Sequence, residues 1–280
     1  KVEDEDLLGE ANNPTTAEVF IDGFAADLNY AAFANTNVRA FDVDKAVKYS
    51  GTASMKFEVP DADATEGAFA GGTFFTKAPR NLSGYTVLTF WAKASQPANF
   101  EVGFGNDNGE NKYQTSISSL KVNSNWKKYY IPIPDADKLT GESGMFYYSA
   151  GAIAGRGYTI WVDEVKFEDL GTISHSNPVI YKGVDKTQSD AFVGNIIVID
   201  NPNDPTDSPT ASFSLPDGST QQQVVAPAYF DYTTSSVSTT TVSDKGITTV
   251  VGPGTSKTTA TLDGVAATGS LTVNSTGVEC

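Results

Sequence analysis

Two adjacent carboxylates, Asp163 and Glu164, stand inside the apolar stretch 157–169 (GYTIWVDEVKFED). Aromatic and β-branched residues alternate there with polar ones, which is the period-two pattern of a half-buried strand. Burying an unpaired carboxylate is costly, so this pair needs a partner or contact with solvent. Three interpretations are open: the pair binds a cation, takes part in glycoside hydrolysis, or is simply exposed to water.

Calcium is the first candidate cation, because it takes about six to eight oxygen ligands from carboxylates and backbone carbonyls. Asp163 offers one carboxylate and Asp22 offers another, far apart in the sequence. The loop that begins at residue 42 adds Asp44 and the turn carbonyls around Gly51. Pairing of the first and last strands of a β-sandwich would bring these groups together. The alternative is that Asp22 and Asp44 are solvated turn residues.

Glycoside hydrolysis needs two carboxyl groups that flank a cleft, roughly 5 to 9 Å apart. Neighbouring residues of a strand point to opposite faces, so Asp163 and Glu164 cannot face one substrate together. Glu101, Asp107 and Glu110 lie near predicted loops and form no recognisable pair. The sequence therefore disfavours an enzyme.

Sugar binding without chemistry uses aromatic faces that stack on pyranose rings, with amides and carboxylates that bond the hydroxyls. In the segment VLTFWAK (87–93), an apolar set facing the core would leave Trp91 and Lys93 facing outward. The polar stretch 104–113 reads as a hairpin loop flanked by aromatic residues. Trp126 is expected to be a structural anchor at a strand start, and Trp161 is ambiguous between core and site. For each aromatic residue, packing in the core or at its rim is the competing interpretation.

The composition narrows the classes of ligand. The 280-residue chain has a formal net charge of −15, which disfavours nucleic acid, since Lys and Arg supply most of the affinity for phosphates. A neutral ligand fits this charge more easily. The chain has one histidine, His175, and one cysteine, Cys280. A histidine-dependent triad, a multi-histidine zinc site and a disulfide framework are therefore disfavoured.

The segments that must position these residues are short and β-rich, bounded by Gly, Pro, Asn or Asp, and helical periodicity is almost absent. Their spacing predicts an all-β protein whose larger domain is a β-sandwich or jelly roll. The strands predicted in this domain are Ala17–Phe24, Ala53–Val59, Gly72–Thr76, Thr86–Ala94, Asn99–Phe104, Tyr113–Ser118, Lys127–Pro132 and Tyr158–Phe167.

The composition changes after about residue 170, where aromatics become sparse and Thr, Ser and Val dominate. A second, smaller sandwich is expected there, with turns at 244–246, 252–254 and 263–264. The domains predicted are a flexible acidic tail at 1–13, a larger sandwich at 14–170 and the smaller one at 171–280. The strands predicted in the second sandwich are Val224–Tyr232, Ser236–Val242, Thr248–Val251, Thr258–Leu262 and Gly269–Val273.

Residues 14–170 resemble the jelly-roll carbohydrate-binding modules of surface proteins from Bacteroidetes. The stretches that carry the resemblance are 49–57 (YSGTASMKF), 82–94 (LSGYTVLTFWAKA), 126–134 (WKKYYIPIP) and 160–168 (IWVDEVKFE). In that superfamily a structural calcium commonly ties the first strand, the loop before the Ser-Gly turn and the last strand. The resemblance thus implies a calcium site formed by Asp22, Asp44, the carbonyls near Gly51, and Asp163.

Residues 171–280 resemble a bacterial immunoglobulin-like domain, on the stretch 229–262. The pair of domains is similar to surface glycan-binding lipoproteins of polysaccharide-utilisation systems. This implies an extracellular, cell-surface protein anchored in the outer membrane, a monomer that works with an outer-membrane glycan transporter. The second domain would be a spacer. The lipidated cysteine of that family has no counterpart at the N-terminus here, and Cys280 is at the wrong end for it, so anchoring is inferred from the resemblance alone.

The function expected is non-catalytic binding of a neutral polysaccharide, with a β-glucan such as laminarin as the first choice. The alternatives are a structural or adhesive surface spacer, and an accessory fragment of a multimodular glycoside hydrolase. The residues predicted to contact the glycan are the aromatic platforms Trp91, Tyr113, Trp161 and Tyr148, and the hydroxyl-binding side chains of Asn106, Glu110 and Gln114.

Overall fold

The computed structural model describes residues 17–171, 173–199 and 207–278. Within these ranges the regular structure is β-strand with short 3-10 turns, so the all-β prediction is confirmed. The chain divides into two compact units, the first of which ends at Gly171. The predicted acidic tail, 1–13, lies outside the described residues. No helix in the described ranges has the length and apolar character that crossing a membrane requires.

The first unit is a sandwich of two antiparallel sheets. Sheet I has the strand order β3-β4-β11-β6-β9, with β1 paired to β11, and sheet II has the order β2-β5-β10-β7-β8. The strands are β1 (Glu18–Phe20), β2 (Leu28–Ala32), β3 (Phe41–Asp44), β4 (Ser54–Val59), β5 (Phe69–Arg80), β6 (Val87–Ala94), β7 (Ala98–Phe104), β8 (Thr115–Val122), β9 (Lys127–Pro132), β10 (Glu142–Gly151) and β11 (Tyr158–Glu168).

Aromatic side chains from the two sheets meet in the core. Phe57 of β4 stacks on Tyr148 of β10 with ring centroids 3.6 Å apart. Phe90 of β6 meets Phe146 of β10 edge to face at 5.7 Å. Each such pair contributes about 0.5–1.5 kcal/mol beyond the burial of its area. These contacts fix which residues of each strand face inward, and therefore which ones face outward.

Several strand bounds in this unit differ from the predicted ones, and strands β2, β3 and β10 were not predicted. Two of these differences have a clear physical reason. The first strand ends at Phe20 rather than at residue 24, because the backbone turns at Asp22, whose φ is 86°. Strand β10, Glu142–Gly151, was not predicted. It is central in sheet II and buried along most of its length, so the polar–apolar alternation that identifies a half-buried strand is absent.

The second unit is also built of strands. They form the sets β12-β15-β16, β13-β22-β20-β17 with β21 beside β20, and β14-β19-β18. Most pairs are antiparallel, whereas β13 and β22 are parallel. The strands are β12 (Ser174–Val179), β13 (Asp185–Ala191), β14 (Ile196–Ile197), β15 (Thr210–Ser214), β16 (Thr220–Val225), β17 (Phe230–Thr234), β18 (Thr240–Val242), β19 (Thr248–Val250), β20 (Gly254–Leu262), β21 (Val265–Ala266) and β22 (Ser270–Ser275).

Turn chemistry explains the boundaries of this unit. The segment Val224–Tyr232, predicted as one strand, is interrupted by a 3-10 turn at Pro227–Tyr229, since proline cannot donate to a sheet ladder. The predicted turn at 263–264 joins β20 to β21. Asp263 and Gly264 both have positive φ, 45° and 77°, as a two-residue hairpin of the type I′ kind requires.

Candidate functional site

The residues predicted to contact glycan do not converge in space. Trp91 and Trp161 lie on the outer face of sheet I, on β6 and β11. The other polar and aromatic candidates, Asn106, Glu110, Tyr113 and Gln114, lie in the loop between β7 and β8, beside sheet II. Tyr148 lies between the two sheets. The sandwich therefore presents two separate outer faces that carry predicted residues.

Tyr148 is a core residue, which contradicts its predicted contact with glycan. Its side chain is fully buried, stacked on Phe57, and its hydroxyl lies 2.9 Å from that of Tyr30. Burial raises the pKa of Tyr148 well above its ordinary value. Of the adjacent residues Tyr147 and Tyr148, alternation along β10 places only Tyr147 on the outer side. A ring with no exposed surface cannot stack on an external sugar.

Tyr147 lies on the outer side of sheet II, called here the sheet II face, and its own side chain is only 2% exposed. Its ring lies over Gly103, where an added Cβ would come within 2.7 Å of the ring carbon Cε1. The Tyr147 hydroxyl donates to Glu101 Oε1 at 3.0 Å and accepts from Gln114 Nε2 at 2.9 Å. Burial, and then the neighbouring Glu101 carboxylate, raise the pKa of Tyr147 far above its ordinary value, so the phenol stays a donor.

Small residues flank this network on the sheet II face. Tyr147 is in register with Thr73 and Gly103, and Ser149 with Gly71. The two glycines are buried and make room for aromatic rings, Phe33 over Gly71 and Tyr147 over Gly103. The half-buried ring of Phe33 meets Tyr147 edge to face at 6.2 Å. A half-buried aromatic ring beside a carboxylate is a combination suited to a sugar ring and its hydroxyls.

Several polar side chains of the β7–β8 loop hold the loop in its own shape. Asp107 Oδ1 accepts from the backbone N–H groups of Gly109 and Asn111, each at 3.0 Å. Asn106 Oδ1 accepts from Asn108 N at 3.1 Å, so the predicted role of Asn106 in binding sugar competes with a structural one. Gln114 likewise spends its amide on Tyr147.

Glu110 and Tyr113 are the other loop residues predicted to contact glycan. The Glu110 side chain is exposed, whereas that of Tyr113 is half-buried. The Lys112 ammonium lies 5.5 Å from the Tyr113 ring centroid. Glu110 and Tyr113 are the side chains of the loop best placed to reach an external ligand.

The outer face of sheet I carries an aromatic cluster, called here the tryptophan face and formed by Tyr49, Trp91, Lys93, Trp126 and Trp161. Lys93 is paired across the strands with Trp161, and its ammonium lies 5.3 Å from the Trp161 ring centroid and 5.7 Å from that of Trp126. Tyr49 stacks flat on Trp91 and meets Trp126 edge to face at 6.0 Å. Trp126, expected to be only an anchor, is thus part of this surface.

The carboxylates Asp163 and Glu164 hold the loop between β3 and β4 against sheet I. Asp163 is fully buried and accepts from the backbone N–H groups of Tyr49 at 2.8 Å and Ser50 at 3.2 Å. Glu164 Oε1 accepts from the Ser50 hydroxyl at 2.7 Å. Burial raises the pKa of Asp163, although these N–H donors and that of Glu164 oppose the shift.

The prediction that Asp163 and Glu164 point to opposite faces is wrong. Strand β11 has an irregular register after Asp163, and Glu164 has a φ of 52°. A β-bulge of this kind inserts one extra residue into the strand, so side chains after it no longer alternate strictly between the two faces. Both carboxylates consequently reach the same residue, Ser50, and they serve the loop together.

Three of the four predicted calcium ligands lie around this loop. Asp22 Oδ1 accepts from Thr52 N at 2.7 Å, and a Cβ on Gly51 would overlap the Asp22 carboxylate. Asp163 binds the same loop two residues earlier. Two carboxylates that converge on a turn rich in carbonyl groups fit the oxygen chemistry of calcium. Within the described ranges, however, no three acidic, histidine or cysteine side chains come close enough to form a metal cluster by themselves.

Asp44, the fourth predicted ligand, has other partners. Its Oδ1 accepts from the N–H groups of Ala46 and Val47, and its Oδ2 accepts from Trp161 Nε1 at 3.0 Å. Burial raises the pKa of Asp44, but the hydrogen bonds outweigh it and leave the pKa below its ordinary value. In this arrangement Asp44 fixes the start of the β3–β4 loop and the position of the Trp161 indole.

Comparison with known proteins gives the first unit a family. A family model described as carbohydrate binding domain 30 matches residues 21–169, more than half of the chain. A search of curated proteins gave no match.

Solved structures of two carbohydrate-binding modules and of an adhesin domain are similar to this chain at low identity. The family 30 module of a cellulosomal cellulase from Clostridium thermocellum is 18% identical, with 55% of this chain and 94% of that chain covered and a TM-score of 0.36. The family 11 module from Clostridium thermocellum, in complex with a β-1,3-1,4-mixed-linked tetrasaccharide, is 14% identical, with coverage of 56% and 98% and a TM-score of 0.37. The cleaved adhesin domain of Lys-gingipain from Porphyromonas gingivalis is 15% identical, with coverage of 55% and 98% and a TM-score of 0.40. The extent of the family-model match shows that the chain belongs to the carbohydrate binding domain 30 family.

Proposed function

We propose that this protein binds a neutral polysaccharide without chemical turnover, and that the polysaccharide is a β-glucan such as laminarin. Membership of a carbohydrate-binding family is the observation that carries the proposal. The net charge of −15 favours an uncharged chain over a polyanionic one. The carboxylates Asp163 and Glu164 are both engaged with the β3–β4 loop, which removes the pair that first suggested hydrolysis.

We place the principal contact on the sheet II face. Glu101 Oε1 is bound by Tyr147, and no described residue donates to Oε2, which leaves an acceptor for a sugar hydroxyl. Phe33 supplies the ring against which a pyranose can stack. Tyr113 and Glu110 of the β7–β8 loop extend this surface. The predicted partners Asn106 and Gln114 act mainly by holding the loop and Tyr147 in place.

Affinity electrophoresis tests the proposal. The protein is run in gels containing laminarin, mixed-linkage glucan, xylan, mannan or pustulan. Retardation by one neutral glycan is expected, and Phe33→Ala and Glu101→Gln should each reduce it. Glu66→Gln, at an exposed carboxylate of another loop, is the matched control and should migrate as the wild type does. Free migration of the wild type in every gel would overturn the proposed function.

We further propose that calcium, when bound, has a structural role here. Asp22, Asp163 and the Gly51 carbonyl would hold it, and its positive charge would offset two carboxylates packed against one loop. The protein's own part in this arrangement is to bring the two carboxylates to residues 49–52, which the N–H groups of Tyr49, Ser50 and Thr52 already do.

The place of the protein in the cell is proposed from the resemblance to surface glycan-binding lipoproteins. An extracellular, cell-surface monomer would capture the glycan for an outer-membrane transporter. The second unit would be an immunoglobulin-like spacer. Protease accessibility on intact cells, compared with lysed cells, tests the surface location, and co-purification with the transporter tests the partnership.

A further inference from the structure

We infer that the tryptophan face is a second carbohydrate-binding surface, so that the first unit binds two glycan segments at once. This inference rests on the proposed function, because it assigns the same class of ligand, a neutral glycan, to a second place.

The two surfaces lie on opposite sides of the sandwich. On β11, Ile160 and Val162 are fully buried in the core, so Trp161 between them faces outward from sheet I. On β10, Tyr148 packs between the two sheets, whereas Tyr147, itself only 2% exposed, lies on the outer side of sheet II. One short oligosaccharide cannot contact both faces, since the whole core separates them.

The side chains of the tryptophan face have the chemistry of a sugar site. Lys93 lies between two indoles, those of Trp161 and Trp126, at 5.3 and 5.7 Å from the ring centroids. Cation–π contacts of this kind are worth about 0.5–1 kcal/mol each at exposed sites. An ammonium carries three donors and no acceptor, and the rings supply none of the lone pairs that those donors need. Sugar hydroxyls would supply them while the pyranose faces cover the indoles.

Lys93 differs in this respect from Lys56, Lys128 and Lys166, three other lysines of sheet I. Lys56 pairs with Glu58 at 3.0 Å, and Lys128 and Lys166 pair with Glu168 at 2.9 and 3.9 Å. Within the described residues, no carboxylate lies at ion-pair distance from Lys93. The ammonium between the two indoles is therefore available to an external acceptor.

The rings of this face are held in position before any ligand arrives. Asp44 fixes the Trp161 indole through its Nε1. Tyr49 is stacked on Trp91, and its own backbone N–H is bound by Asp163. Tyr49 remains 41% exposed, so it offers a third ring beside Trp126. Preorganisation of this kind lowers the entropic cost of binding.

The surroundings favour a neutral ligand over an acidic one. Lys56 lies in cross-strand register with Trp161 on one neighbouring strand and with Asp42 on the other. Its ammonium forms an ion pair with Glu58. Two carboxylates, Asp42 and Glu58, therefore lie close to the tryptophan face. These carboxylates, together with the net charge of −15, would repel a polyanion.

Isothermal titration calorimetry of the whole chain tests the inference. The probes are hexasaccharides of laminarin, mixed-linkage glucan, cellulose, xylan and mannan, with a galacturonate oligomer as the acidic arm. We expect one neutral hexasaccharide to bind with a stoichiometry of about two. Trp126→Ala should reduce the stoichiometry to about one, and so should Phe33→Ala on the opposite face. The two substitutions together should remove binding.

Lys93→Met keeps the aliphatic stem but removes the donors, and it protects the test against a variant that fails to fold. It should weaken the affected site by roughly tenfold, as expected for loss of a hydrogen bond from a charged group. Lys166→Met is the matched control, since it removes a lysine of the same sheet that already has a carboxylate partner. It should leave both sites unchanged.

Each remaining outcome has a definite meaning. A stoichiometry of one that is insensitive to Trp126→Ala and Lys93→Met overturns this inference and leaves the proposed function standing. A single site lost only with those two variants overturns both the second site and the sheet II assignment. Binding of the galacturonate oligomer alone overturns the neutral ligand. No binding of any probe overturns the proposed function and this inference together.

Discussion

The ring of Tyr49 lies flat on the indole of Trp91, with 3.8 Å between the ring centroids and 11° between their planes. Trp91 therefore faces away from the core but is covered by a residue from the loop between β3 and β4. That loop is in turn fastened to sheet I by Asp163 and Glu164. A tryptophan that the sequence offers as an open platform is thus mainly a support for Tyr49.

The stacking of Tyr49 on Trp91 predicts an energetic coupling between the two residues. Trp91→Ala should lower the free energy of unfolding by about 2 kcal/mol, less than a fully buried tryptophan would cost. Tyr49→Ala should cost about 1 kcal/mol. Urea denaturation of both single variants and the double variant should give an interaction energy near 1 kcal/mol. Strict additivity of the two losses would contradict the stacking.

Tyr148→Phe separates a core role from a ligand-binding role. Removing this hydroxyl leaves the hydroxyl of the half-buried Tyr30 without its partner at 2.9 Å, which should cost about 1 kcal/mol of stability. Retention in glycan gels should not change. A Tyr148→Phe variant with wild-type stability but without retention in the gels would contradict the core role and show that Tyr148 contacts the glycan.

The raised pKa of Glu142 predicts that the stability of the fold depends on pH. Burial, opposed by the Gly144 N–H and reinforced by the nearby Asp107 charge, raises the pKa of Glu142 from 4.5 to about 7. Since the folded state prefers the protonated carboxyl, this contribution to stability is present below the unfolded pKa and is lost as the pH rises through about 7. Glu142→Gln should therefore raise the melting temperature at pH 8 relative to wild type, and by much less at pH 4.

The matched control for this effect is Glu66→Gln, at an exposed carboxylate. It should follow the wild-type pH profile of the melting temperature. If the difference between Glu142→Gln and wild type were the same at both pH values, the raised pKa of Glu142 would be refuted.

Calcium should stabilise the protein through Asp22 and Asp163. A ligand that binds only the folded state adds about 2.7 kcal/mol at a concentration one hundred times its dissociation constant. EDTA should lower the melting temperature of calcium-loaded protein, and excess calcium should restore it. Asp22→Asn should abolish this difference, whereas Asp44→Asn should keep it. If EDTA did not change the melting temperature of protein shown beforehand to contain calcium, the assignment of Asp22 and Asp163 as calcium ligands would be wrong.

The sequence predicts the all-β fold and the outward direction of Trp91, because both follow from period-two alternation along single strands. It does not distinguish Tyr147 from Tyr148, since β10 is buried along most of its length and either tyrosine fits the pattern. It misplaces Glu164, because a bulge depends on how β11 meets its neighbours. Trp161 and Gln114 lie on opposite sides of the sandwich because of the order in which strands pair in the two sheets. The pattern of residues within a single strand carries no information about that order.

Parallel pairing of β13 with β22 has a consequence for synthesis of the second unit. Asp185, at the start of β13, accepts a hydrogen bond from Ser270, 85 positions later in the chain. During translation, β13 leaves the ribosome long before β22, so it cannot form this pairing until nearly the whole second unit has been synthesised. Nascent chains stalled before residue 270 should therefore remain protease-sensitive from about residue 185 onward, while the first unit, complete by then, is already resistant.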